Sequence, residues 1–246
     1  MEEIINGLWI GRPLGLMEQL SITSFLRNGH EYHLYCYEEI ANIPAGTIIH
    51  NAAAILPASE IFYYSSGEGR GSVSAFSNFF RYKLLLEKGG WWVDTDVVCL
   101  RPFDFEEPIV LASERTETGI QKTQTTTAVL KLPKNHLLAR VCYEAASRQD
   151  RAKLDWGQTG PQLLDMAARE NGLQHFVKAP NVFCPVDHWK WRSLLSKNPF
   201  MRPVTDESHA IHLWHERWRR AGIKMDATLN DKTPFARLLS RYGLKK

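Results

Sequence analysis

From Gly89 to Phe103 the chain reads GGWWVDTDVVCLRPF, a glycine pair suited to ending a helix and then an apolar run broken only by Asp94, Thr95 and Asp96. Successive side chains of a strand face opposite ways, so Asp94 and Asp96 are expected on one face and Thr95 on the other. Two same-facing carboxylates in an apolar setting repel each other and are costly to leave unpaired. A hard divalent cation, Mg²⁺ or Mn²⁺, relieves that repulsion and typically takes one or two carboxylates together with phosphate oxygens and waters. The segment therefore predicts a buried strand of an α/β sheet that ends in a metal–diphosphate site.

The 246 residues give room for one large domain with a small extension. A hydrophobic fraction of 44% and a charged fraction of 23% are ordinary for a globular chain, and a net charge of +3 is too small to argue for nucleic acid. No apolar run is long enough to span a bilayer, and the opening MEEIINGLWIGRP is acidic, unlike a signal peptide. Cys36, Cys99, Cys142 and Cys184 form no CxxC pair, which argues against a zinc cluster or a disulfide framework. Buried reduced thiols and a cytoplasmic setting are expected.

Along the chain, Ile4 to Ile10 reads as a first strand, Leu14 to Asn28 as a helix and Glu31 to Tyr37 as a second strand, broken at Gly11-Arg12-Pro13 and Asn28-Gly29. Strand, helix and strand in that order begin a parallel sheet, which binds ligands beyond the carboxyl ends of its strands, where Trp9 falls. Ala41 to Arg70 reads as loop with a short helix near Ala52. GEGRG (67–71) lacks the spacing of a phosphate loop. A helix capped by Ser72 or Ser74 runs to Gly89 and sets Asn78 and Arg81 three apart on one face. Arg81 is either a partner for a carboxylate or phosphate or an exposed arginine. Val97 to Leu100 is read as continuing the strand, Pro108 to Ser113 as a further strand, and Thr118 to Leu132 as a strand pair. Pro133 is expected to open a helix, and Thr159-Gly160-Pro161 to lead into another as anion contact or ordinary cap. His175 to Val186 reads as strand and loop. The tail concentrates His212, Trp214, His215 and Trp218 among arginines, with His209 and His215 read as surface residues; Glu114 and Asp187 are candidates for acceptor binding that nothing in the sequence raises above ordinary charges.

The pattern Trp9-Ile10-Gly11, then Ser77-Asn78-x-x-Arg81, then GGWWVDTD, Thr159-Gly160-Pro161, and His212 with Trp218 six residues on resembles the DXD-motif glycosyltransferases of the family 32 type. Their relatives include the large clostridial glucosylating toxins. The central motif is specific; the TGP and His/Trp pieces alone are weak. The resemblance implies an α/β, GT-A type, Rossmann-like nucleotide-binding sheet with flanking helices in a single domain. On this basis residues 1–220 are expected to form the glycosyltransferase domain, and 221–246 a basic C-terminal helical extension.

Carried over, the resemblance implies that Trp9 stacks on the base, with Ile10 and Gly11 beside it, and that Arg81 holds the sugar or its phosphates. Asp94 faces the ribose or sugar side, and Asp96 binds the metal directly; Asp94 and His212 complete the metal set, with His212 as an extra metal or diphosphate contact. Trp92, Thr95, Thr159, Gly160 and Trp218 belong to the donor site. Asn78 stands where the family has Asp, which removes a charge from the usual hexose contact. Trp9 has a competing reading as a core tryptophan closing its strand, and His212 as a packed histidine.

The implied reaction moves a hexose or N-acetylhexosamine from a nucleotide-diphosphate sugar, taken as UDP-linked, to a saccharide or lipid-linked saccharide hydroxyl, with Mn²⁺ or Mg²⁺ and with retention. Its setting would be surface polysaccharide, capsule or lipopolysaccharide synthesis. A protein-modifying transferase and a non-catalytic sugar-nucleotide or glycan-binding module are the alternatives. The basic tail (Arg217, Arg219, Arg220, Lys224, Arg237, Arg241, Lys245, Lys246) reads as a solvated face or as a peripheral contact with the inner face of the cytoplasmic membrane.

Overall fold

The computed structural model describes residues 4–11, 13–117, 123–197, 204–223 and 231–244. Arg12, residues 118–122 of the expected strand pair, and Lys224, Lys245 and Lys246 of the basic tail lie outside them. Strand β1 (Ile5–Trp9), helix α1 (Leu16–Arg27) and strand β2 (Tyr32–Cys36) form the expected parallel unit, with Ile5 opposite Tyr32 and Trp9 opposite Cys36. The segment expected to be loop holds β3 (Ile48–Asn51), which adds in parallel to β2. Its Ile48 and Ile49 are exposed at the sheet edge, so no apolar alternation announces it.

Helix α2 (Ser74–Lys88) leads into β4 (Gly90–Val93), then β5 (Val97–Cys99), β6 (Val110–Arg115) and β7 (Thr123–Leu132). The main sheet runs β3-β2-β1-β4-β7-β6, with β7 antiparallel to both β4 and β6. Tyr32, Trp91 and Phe103 pack on one face of this sheet, and Phe76, Phe80 and Trp92 on the other. Adjacent tryptophans thus point opposite ways, as a strand requires.

Beyond β7 come α3 (Leu137–Ser147), α4 (Leu163–Glu170), α5 (Pro180–Phe183), strand β8 (Ala210–His212), α6 (His215–Arg220) and α7 (Pro234–Arg241). Pro133 does not open α3; His136 caps it, its ring accepting from the Leu138 amide. Segment 175–186 is helical turn and loop packed on the sheet, with an isolated bridge between Leu111 and Val177 and the Ser113 hydroxyl donating to the Lys178 carbonyl at 2.6 Å.

The strand expected to continue through the aspartates ends at Val93 instead. Asp94-Thr95-Asp96 is a turn closed by the Val97 amide on the Asp94 carbonyl at 3.0 Å. Val97–Cys99 leaves the main sheet and pairs antiparallel with β8, forming a second, two-stranded sheet. The two acids therefore share a side by virtue of a turn between sheets, not by strand alternation.

The glycine pair before β4 has a steric cause. Gly89 sits at φ 72°, ψ −163°, a region open essentially only to glycine. A Cβ there would lie 2.5 Å from the backbone nitrogen of Lys134. Gly89→Ala is expected to lower stability by at least about 2 kcal/mol, from backbone strain plus the clash. Urea unfolding followed by circular dichroism measures it, and a loss under about 0.5 kcal/mol, the range of a neutral surface change, would contradict it.

Candidate active site

The α2 helix delivers Arg81 beneath the turn. Its guanidinium is 3% exposed and forms a 2.9 Å ion pair with Asp94 Oδ1. It also donates to the Thr127 carbonyl, to the Ser77 carbonyl at 3.2 Å and to Ser77 Oγ at 3.0 Å, and lies 4.8 Å over the Trp92 ring. Of its five N–H groups, one on Nη2 is left for a ligand. Arg81 is thus chiefly the clamp that sets Asp94. The Trp92 indole donates to the same Asp94 Oδ1 at 2.9 Å, leaving Oδ2 without a hydrogen bond among the described residues.

Asp96 is gripped from the far end of the chain. Because β5 pairs with β8, Val97 stands opposite His212, and His212 Nε2 comes to 3.2 Å from Asp96 Oδ2 across 116 residues of sequence. The Leu213 amide donates to the Asp96 carbonyl at 2.9 Å, and the His215 amide to Oδ2 at 2.8 Å. Trp214 makes that second bond by adopting the left-handed region, φ 62° and ψ 50°, uncommon for a large side chain and typical of functional turns. Its ring lies against His212 at 3.8 Å between centroids.

These contacts set the charges. Burial pushes the Asp94 carboxyl up, and Arg81 opposes it. Burial also works against charge on Asp96, but His212 and the His215 amide overcome it and hold that carboxyl down to about 2. Burial pulls the His212 imidazole down, yet Asp96 outweighs it and lifts the imidazole well above its usual range. Asp96 is therefore anionic at neutral pH.

One donor atom each from Asp94, Asp96 and His212 lies within 4.8 Å of the others. That is near the span a small hard cation bridges at about 2.1 Å per ligand, and two carboxylates with an imidazole suit Mg²⁺ or Mn²⁺. The residues fit the metal. Ligation requires a neutral imidazole, so a cation there displaces the His212 proton.

The three donors open on a cavity of about 580 Å³. Trp9, Ile10, Asn78, Arg81, Trp92 and Thr95 line it, as do Tyr64, Trp156, His215 and Arg217, which the sequence did not single out. Trp9 is half-buried, its ring 6.5 Å from that of His215. Asn78 reaches Thr159 Oγ1 at 3.4 Å, and Tyr82 donates to the Thr159 carbonyl at 3.1 Å.

Four of the expected donor-site residues sit elsewhere. Trp218 is fully buried, donates to the Leu213 carbonyl at 2.6 Å and packs on Trp191 and Phe235, so it belongs to the core and not the cavity wall. Thr159 and Gly160 are buried behind Asn78, where a Cβ on Gly160 would meet Asn78 Nδ2 at 2.9 Å; they support the wall rather than form it. Gly11 is exposed and outside the cavity lining.

His215, read as a surface residue, faces a carboxylate absent from the sequence reading. Glu18 of α1 is 1% exposed, with Oε1 3.6 Å from His215 Nδ1, and burial raises its carboxyl. Arg217, Arg219 and Arg220, read as part of a basic tail, also line the cavity. Arg219 and Arg220 are paired to Glu216, and Arg220 to Glu68 as well. Arg217 contacts His188 at 2.8 Å and makes no ion pair among the described residues. Only such long-range placement, not local pattern, distinguishes these residues from a solvated helix.

Residues 32–116 match the family described as "glycosyltransferase sugar-binding region containing DXD motif", a span of roughly a third of the chain that includes Asn78, Arg81, Asp94 and Asp96. The fold is that of GT-A glycosyltransferases. It is similar to PaToxG glycosyltransferase at 16% identity and TM-score 0.51, over 99% of this chain and 87% of that one. It is likewise similar to the apo-form glycosyltransferase GlyE of Streptococcus pneumoniae TIGR4, at 12% identity and TM-score 0.51, over 100% of this chain and 61% of that one. None of the curated proteins compared with the chain matches it. The matched segment is thus similar to the DXD region of glycosyltransferases, and the sheet that carries it has the GT-A fold.

Proposed function

We propose that this chain transfers a hexose or N-acetylhexosamine from a nucleotide-diphosphate sugar, a UDP-sugar, to a saccharide hydroxyl. The observation that carries the reading is the convergence of Asp94, Asp96 and His212 on one edge of a cavity with aromatic walls. Mn²⁺ or Mg²⁺ held by those three residues would neutralise charge building on the leaving diphosphate. Arg217, which makes no ion pair among the described residues, and the remaining Nη2 proton of Arg81 are placed to add donors to the same oxygens. Trp9 offers an aromatic face to the base. The choice of UDP, retention of configuration, and a role in surface polysaccharide or lipopolysaccharide synthesis rest on the resemblance of the motifs.

Binding tests the reading first. Titration calorimetry is expected to show UDP binding in MnCl₂ and little or none in EDTA; equal affinity in both would favour a metal-independent binding module. Trp9→Ala is expected to weaken UDP about tenfold, since base–aromatic stacking contributes about 1–3 kcal/mol. An unchanged Kd would make Trp9 a core residue. Product analysis with saccharide and protein acceptors then separates polysaccharide synthesis from protein modification.

No helix among the described residues is long and apolar enough to cross a membrane. Cytoplasmic residence, with peripheral contact at the inner membrane face, goes with a lipid-linked acceptor. Helix α7 turns Phe235 and Leu239 into the core, so any such contact falls to exposed side chains such as Arg237 and Arg241. Liposome sedimentation of the Arg237→Glu, Arg241→Glu double variant tests it, and undiminished binding would dismiss it.

A further inference from the structure

The cavity has a second polar end that the proposed donor machinery leaves unused. Glu114 of β6 stands opposite Gln124 of β7 in the antiparallel register, and Thr126 follows on the same face. All three line the cavity. Glu114 is 8% exposed and makes no ion pair among the described residues; Gln124 Nε2 donates to its Oε1 at 2.7 Å. Its neighbour Arg115 is turned away and paired with Asp187 at 3.0 Å. Gln124 and the Thr126 hydroxyl both donate to this buried carboxyl, and no ion-pair partner faces it among the described residues; two carboxyl oxygens hold about four acceptor sites, so capacity remains for further hydroxyls.

Sheet order points to the source of those hydroxyls. The diacid follows β4, at the centre of the order β3-β2-β1-β4-β7-β6. Trp9 lies on the β1 side of it, and Glu114 with Gln124 on the β7-β6 side. A nucleotide whose diphosphate sits at the diacid and whose base lies toward Trp9 directs its sugar toward β7 and β6. Glu114 shares the cavity lining with His212 and Arg217, and both favour its charged form. Burial raises the carboxyl, while Gln124 and Thr126 pull it back. In either protonation state the group hydrogen-bonds hydroxyls.

We propose that Glu114, oriented by Gln124, binds hydroxyls of the transferred sugar and sets which sugar the site accepts. This rests on the nucleotide-sugar reading above. A carboxylate accepting from hydroxyls makes charge-assisted bonds, stronger than neutral ones. A site built around such a bond rejects an epimer whose hydroxyl points elsewhere, because its own polar group is then left unpaired.

The test measures Kd in MnCl₂ for UDP, UDP-glucose, UDP-galactose, UDP-N-acetylglucosamine and UDP-N-acetylgalactosamine, with the full chain and with Glu114→Gln and Glu114→Ala. The wild type is expected to spread the four UDP-sugars over at least about tenfold, the scale of one good hydrogen bond. Glu114→Ala should compress that spread to within about threefold by weakening the preferred sugar, while UDP itself shifts by no more than about twofold; Glu114→Gln should recover part of the spread. A role confined to bracing β6 against β7 would move all five ligands together, or none. The proposal is overturned by a spread that survives Glu114→Ala, by parallel loss of UDP, or by a wild type that does not discriminate. Should the wild type fail to bind UDP at all, the nucleotide-sugar reading falls with it, and that result is distinct from the others. Glu114→Gln is close to isosteric and retains a partner for Gln124, so it carries the test if the alanine variant does not fold.

Discussion

Asp96→Ala is expected to abolish Mn²⁺-dependent UDP binding and to slow sugar transfer by at least about a thousandfold, roughly 4 kcal/mol in the barrier. The size follows from what that one side chain holds. Its Oδ2 receives His212 and the His215 amide, so the substitution removes a metal ligand and releases the β8–α6 turn that presents the second ligand. Asp96→Asn separates the two effects. An amide oxygen still accepts from the His215 amide, so folding is expected to survive while metal affinity is lost with the charge. Calorimetric titration of MnCl₂ against each variant, with and without UDP, measures this. An Asp96→Asn protein that binds Mn²⁺ and UDP like the wild type would show that the cation, if any, sits elsewhere.

Arg81→Met carries the largest expected effect on folding, a loss of about 3–5 kcal/mol. The guanidinium is 3% exposed and faces Asp94, whose carboxyl has only the Trp92 indole besides it among the described residues. Methionine would fill much of the volume but strand a largely enclosed carboxylate and leave the Thr127 carbonyl without that donor. Removing the charge as well should restore part of the loss, so Arg81→Met with Asp94→Asn is expected to be more stable than Arg81→Met alone. Denaturant unfolding of the four proteins in the cycle gives the coupling. Independent, additive losses would mean that the arginine does not clamp the aspartate, and that it is free for the sugar or phosphate contact the motif suggests.

The parts of this molecule legible in the sequence are those written in local pattern. The first strand, helix and strand follow from apolar periodicity and the breaks at Gly11 and Asn28-Gly29, and the parallel pairing of β1 with β2 follows from their order. GGWWVDTD points to the candidate site because glycines, aromatics and paired acids at that spacing have few other uses. The rest depends on contacts between distant segments. Nothing in Val93-Asp94-Thr95-Asp96-Val97 tells that the chain changes sheets there, since the cause is β8, which draws Val97–Cys99 away from the main sheet. Aromatic content alone does not distinguish Trp9, at the cavity, from Trp218, in the core; the difference lies in Trp191 and Phe235, which enclose the latter. Ile48–Asn51 hides as a strand because its apolar side chains are exposed at an edge. Glu114 and Arg217 read as ordinary charges because what sets them apart, a place in the cavity wall without an ion pair among the described residues, is decided by distant segments.

Crystals grown with UDP and MnCl₂, measured at the manganese absorption edge, test the central claim most directly. An anomalous peak is predicted within bonding distance of the Asp96 carboxylate and the UDP diphosphate, in the space shared with Asp94 and His212, with the base against Trp9. UDP bound in the cavity with no manganese beside it, and Asp96 still bonded to His212, would contradict the account.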